Sequence, residues 1–166
     1  GEDTLSLHDA LPICVQQVGE GYTSEGRFHA LLWQGSAGSA LDLHPTNLSY
    51  FSDSSAEGVH GNQQVGAAGN AANNVIHAML WNGTADSAVD LNPTNLYGIN
   101  SSIARSTNGA SQAGTGSGPG TSYANHALTW SGTADSAVDL HLTLPTGFAS
   151  SEADWIDAQG KVYGEA

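Results

Sequence analysis

The chain has 166 residues, enough for one domain, and carries a net charge of −13 from 16 acidic and only 3 basic side chains. So few cations cannot neutralise a nucleic-acid backbone or hold an anionic membrane surface, and both partner classes are excluded as expectations. One cysteine leaves no internal disulfide and no multi-cysteine zinc site, no apolar run is long enough to span a bilayer, and 21 glycines favour turns and short strands over helices.

Residues 4–13 stand apart from everything that follows. The run Thr4-Leu5-Ser6-Leu7-His8-Asp9-Ala10-Leu11-Pro12-Ile13 resembles the in-frame translation of a common short-read sequencing adapter, and Asp3 and Cys14 are compatible with its two ends. Residues 1–14 are therefore expected to be non-native, which strips Cys14 of any redox meaning. The protein proper is expected over residues 15–166.

That remainder is a repeat with a period near 48. His29-Ala30-Leu31-Leu32-Trp33 returns as His77-Ala78-Met79-Leu80-Trp81 and as His126-Ala127-Leu128-Thr129-Trp130, at steps of 48 and 49. Asp42-Leu43, Asp90-Leu91 and Asp139-Leu140 keep the same steps, and residues 81–91 match residues 130–140 at ten of eleven positions. Gly19, Gly66, Gly114 and Gly164 mark a further recurring position. No linker separates the copies, so they form one array.

In chain order, one period reads as four short strands. In the second copy, Ser55–His60 is the first, closed by the turn Gly61-Asn62, and Gln63–Ala67 is the second. A polar loop over residues 69–74 leads to the third strand, Ile76–Trp81; Asn82-Gly83 is a hairpin turn signal, and Ala88–Leu91 is the fourth strand, stopped by Pro93. The corresponding third strands fall near residues 28–33 and 126–130. Four strands in about 48 residues is the size of a propeller blade. The expected fold is all-β: about three four-stranded antiparallel blades of a β-propeller-like array, open or truncated, with a β-solenoid as the alternative.

The pattern Ser-x-Ala, then Gly-x-x-x-x-Val-Gly, His-Ala-x-x-Trp and Asp-Leu resembles the bacterial extracellular HAF-type repeat over residues 15–166. Leu31, Met79 and Leu128 stand where that family has phenylalanine. The resemblance implies a secreted or surface-exposed propeller-like repeat protein and carries no catalytic residue with it.

Several side chains invite chemistry. His29, His77 and His126 could be metal ligands; the reading preferred here is that each ties its own blade together through Asp42, Asp90 or Asp139, because a half-buried imidazole needs a partner for its N–H. Trp33, Trp81 and Trp130 could stack on sugars, but a tryptophan at one strand position of every repeat reads as packing between blades. Trp155 breaks the period and is the candidate surface contact. Asp53-Ser54-Ser55 and Thr84-Ala85-Asp86 are read as turns that offer oxygens to calcium without the spacing of a calcium loop, so no cofactor is expected. Gly114-Thr115-Gly116-Ser117-Gly118 approximates a phosphate loop, lacks the lysine and the helix, and reads as flexible loop. No serine sits in a nucleophile elbow. The expected function is a non-catalytic extracellular scaffold, monomeric as a full-length protein, contacting a protein or glycan surface. The alternatives are part of a propeller glycosidase or lyase, and an adhesin or surface-layer stalk.

Overall fold

The computed structural model describes residues 16–166, so the reading of residues 1–14 lies outside them. The described chain is all-β. Its strands are β1 (Gln17–Tyr22), β2 (Phe28–Trp33), β3 (Leu41–Asp42), β4 (Asp53–His60), β5 (Gln63–Asn70), β6 (Val75–Trp81), β7 (Val89–Asp90), β8 (Ser101–Thr107), β9 (Gln112–Ser117), β10 (His126–Trp130), β11 (Val138–Asp139), β12 (Glu152–Ile156) and β13 (Val162–Glu165), joined by turns and single 3-10 turns. They form four separate antiparallel sheets in sequence order, β1-β2-β3, β4-β5-β6-β7, β8-β9-β10-β11 and β12-β13, and no sheet closes on itself.

Each four-stranded sheet is a meander whose connections follow from its residues. Gly61 has φ +58° and makes the tight turn between β4 and β5, as its sequence suggests. The Asn82-Gly83 step does not make the two-residue hairpin expected there. Instead it opens a connection through residues 82–88 with a 3-10 turn at Ala85–Ser87, because Ser87 Oγ takes the Asn82 amide at 2.8 Å and donates to the Thr84 carbonyl at 2.6 Å. Ser39 and Ser136 close the equivalent connections with the same bonds.

Two further expectations are corrected. Of the expected flexible loop over residues 114–118, Gly114, Thr115 and Gly116 are instead buried in β9 and Ser117 is its half-buried last residue. Glycine is needed there because a Cβ on Gly114 would lie 2.0 Å from the Ile103 carbonyl oxygen of β8, and one on Gly66 would lie 2.1 Å from Ser55 O of β4. Likewise Asp53-Ser54-Ser55 is not a turn; it opens β4.

The apolar core lies between sheets rather than within a single centre. Ala30, Leu32 and Leu43 of the first repeat meet Ala56, Ala68, Met79 and Trp81 of the second sheet. The other face of that sheet gives Val65, Ala78, Leu80 and Leu91, which pack on Ala104, Leu128 and Trp130 of the third. Ala113 and Ala127 then meet Ala153 and Ile156 of the fourth. Alternation along each strand sends successive residues to opposite faces, so one sheet serves two cores.

Candidate functional site

The short fourth strand explains where the recurring polar side chains go. In the second sheet β7 pairs with β6 only at Leu80 and Met79. Beyond it, the Ala78 carbonyl accepts from Leu91 N at 2.8 Å, while the buried Ala78 N–H has no ladder partner. Ser102 Oγ of β8, in the next sheet, accepts that N–H at 3.0 Å. The same arrangement joins Ala30 N to Ser54 Oγ at 2.9 Å and Ala127 N to Ser151 Oγ at 3.0 Å. A buried amide must find a partner, and here the following sheet supplies it.

Each serine is held in turn by a polar chain. His77 Nδ1 meets Asp90 Oδ2 at 2.7 Å; Asp90 Oδ1 accepts the Asn92 amide at 2.8 Å; Ser102 Oγ donates to Asn92 Oδ1 at 2.8 Å. In the first repeat the members are His29, Asp42, His44 and Ser54, with 2.7 Å between His29 Nδ1 and Asp42 and 3.0 Å between His44 Nδ1 and Ser54. In the third they are His126, Asp139, His141 and Ser151, at 2.8 Å and 2.9 Å for the same two contacts. The paired imidazoles stack, with ring centres 4.1 Å apart for His29 and His44 and 4.0 Å for His126 and His141. The serine hydroxyl accepts from the amide; in the second repeat its proton goes to the Asn92 oxygen, while in the first and third it meets an imidazole nitrogen, the direction of that bond following the histidine tautomer. His44 and Asn92 thus occupy the same place in the chain, each giving its backbone amide to the aspartate and meeting the serine with its side chain. Burial, then the neighbouring His29, hold the His44 imidazole below its ordinary pKa of 6.5, with Asp42 and Asp53 opposing.

This set contains serine, histidine and aspartate but is not a hydrolytic triad. A triad runs through the two nitrogens of one imidazole; here one histidine meets the aspartate and another meets the serine, and the serine oxygen is occupied by a buried amide. The chemistry-bearing residues of the repeat are spent on joining sheets.

Trp81 and Trp130 are buried, each packed against the preceding sheet, and their indole Nε1 atoms have no partner. Trp33 is half-buried and lies over Gly19. Trp155 is 56% exposed on β12, beside Tyr163 at 5.3 Å. Asp53 accepts from Phe28 N, Ser52 Oγ and Arg27, and Asp86 from Thr84 Oγ1, so protein donors already engage these carboxylates.

Sequence reasoning missed two groups. Gln64 Oε1 accepts the Gly83 amide at 2.8 Å while its Nε2 donates to Gln16 Oε1 at 2.9 Å; Gln112 does the same with Gly132 and Gln63. The signal was present in the glutamines that precede the recurring Val-Gly or Ala-Gly. The second group is the bulges. Each first strand slips its register opposite the recurring glycine, between Ala56 and Gly58, Ala104 and Ser106, and Ala153 and Trp155. The residues pushed out of the ladder are Glu57, Arg105 and Asp154. All three line one cavity of about 380 Å³ with His60, Trp155 and Asp157. Arg105 reaches Glu152 at 3.0 Å and Asp154 at 3.8 Å, and its Nε is buried without a partner. Glu57 keeps contact with water, but crowding by the walls pushes its carboxyl above the ordinary range, Arg105 opposing and Glu20 adding to the shift.

No family model, no curated protein and no solved structure matches the chain.

Proposed function

We propose that the chain is part of a non-catalytic, extracellular repeat scaffold of bacterial origin, built as a β-propeller-like array that presents its surface to a protein or glycan. The observation that carries this reading is the repeated chain from histidine through aspartate to serine. It recurs three times with the same geometry and connects each sheet to its successor. A fold that repeats its histidines and aspartates for stacking uses them as structure, and leaves contact to positions that vary between repeats. The net charge of −13 suits a soluble surface that does not seek polyanions. The full-length protein is monomeric in this reading and takes no cofactor.

The cavity at the bulges favours one second reading, a propeller glycosidase or lyase, because Glu57, Asp154 and Asp157 all line it. The experiment that separates the two is release of reducing ends from polysaccharides incubated with the protein. The scaffold reading expects none above buffer. Release that disappears in Glu57→Gln overturns it.

A further inference from the structure

The three bulges occupy equivalent places in three successive sheets. Three features around them are kept from repeat to repeat: the alanine before, the glycine opposite, and the serine three residues before that bonds to the preceding sheet. The bulged residue is not kept. It is Glu57, then Arg105, then Asp154. A bulge re-aims a side chain out of the ladder, and here three such side chains are aimed at the same cavity. Its volume of about 380 Å³ lies at the lower end for small-ligand sites, which run from about 300 to 1,000 Å³.

The lining limits the ligand. Glu57 and Asp154 offer acceptors, while both Asp157 oxygens are taken by Gln159 N, Lys161 N and Tyr163 Oη; Arg105 offers the guanidinium hydrogens that Glu152 and Asp154 leave free. Vicinal hydroxyls donate and accept at once and match such a mixed wall. Three carboxylates against one guanidinium disfavour an anion, and Arg105 disfavours a compact cation at the centre. Trp155, 56% exposed at the rim, supplies an aromatic face on which the C–H side of a sugar ring can lie. We infer that this cavity is a binding site for a neutral saccharide, held by Glu57, Arg105 and Asp154 and by stacking on Trp155. The inference names a ligand class for the scaffold reading and rests on it.

The test is native affinity electrophoresis of the whole chain through gels containing laminarin, galactomannan or dextran as neutral probes, polygalacturonate as the anionic probe and glycol chitosan as the cationic one. The expected result is retardation by at least one neutral polysaccharide. Glu57→Gln and Trp155→Ala should each weaken it by about tenfold or more, with circular dichroism and melting temperature unchanged. Trp155→Phe, which keeps a ring, should weaken it less than Trp155→Ala. Retardation by no neutral polysaccharide, retardation confined to the charged gels, or retardation that neither variant reduces overturns the inference. Those failures leave the scaffold reading standing, whereas release of reducing ends in the same gels defeats that reading instead.

Discussion

Ser102 Oγ receives the amide proton of Ala78 at 3.0 Å across the boundary between the second and third sheets, and passes its own proton to Asn92 at 2.8 Å. One hydroxyl therefore completes the ladder of one sheet while belonging to another. Ser102→Ala should strand a buried donor and cost about 1–3 kcal/mol in urea unfolding. Ser102→Thr, which retains the hydroxyl, should recover part of that loss. An alanine variant as stable as the parent would mean that the inter-sheet bond contributes nothing.

The His44 imidazole sits below its unfolded pKa of 6.5 because of burial first and His29 second. A base whose folded pKa is depressed takes up fewer protons folded than unfolded. Stability is therefore unaffected well above the unfolded value and falls as pH drops through it toward the folded value. Melting temperature should decline as pH falls through the unfolded value of 6.5. His44→Asn copies the second repeat, where Asn92 performs the same task, and should flatten that part of the profile without loss of stability at neutral pH. An unchanged slope in the variant would assign the titration elsewhere.

Gly66→Ala should cost upwards of about 3 kcal/mol, because the new Cβ would fall 2.1 Å from backbone oxygen, which cannot rotate away. Gly38→Ala is the contrasting case: nothing lies within 4 Å and the residue sits in a 3-10 turn. That substitution should stabilise by about 0.4–1 kcal/mol through the unfolded chain. Denaturant midpoints of the two variants give the comparison directly.

Trp81→Ala removes a fully buried side chain from the core between the first and second sheets and should cost about 3–5 kcal/mol. Trp33→Ala, at the equivalent but half-buried position, should cost clearly less. Equal losses would contradict the assignment of Trp81 to inter-sheet packing.

The sequence carries the strands and their order well, since turn residues and alternation are local. It places the third strands at residues 28–33, 76–81 and 126–130 against β2, β6 and β10, and pairs each histidine with the aspartate thirteen residues on. Three kinds of feature escape it. Ser54, Ser102 and Ser151 act across a sheet boundary 24 residues from their amides, and serine is too common here to stand out. Gly114–Ser117 resembles a loop in composition; only the close carbonyl of β8 explains why a buried strand is built from small residues. Glu57, Arg105 and Asp154 are hidden by the repeat itself, because a search for what recurs passes over a position whose residue changes each time.

The serine bond also gives the array a direction. Ala30, Ala78 and Ala127 each depend on the sheet that comes after them; among the described residues the reverse dependence occurs at one boundary, where Ser106 Oγ of the third sheet accepts the buried Ile156 amide of the fourth at 3.2 Å. Loss of order in a later sheet therefore uncovers a buried donor at all three boundaries, whereas loss in an earlier sheet uncovers one, Ile156 N, at the last boundary alone among the described residues. Unravelling should travel more readily from the C-terminal side toward the N-terminal side than the reverse, so that amide exchange at Ala127 precedes exchange at Ala78, and that at Ala78 precedes Ala30.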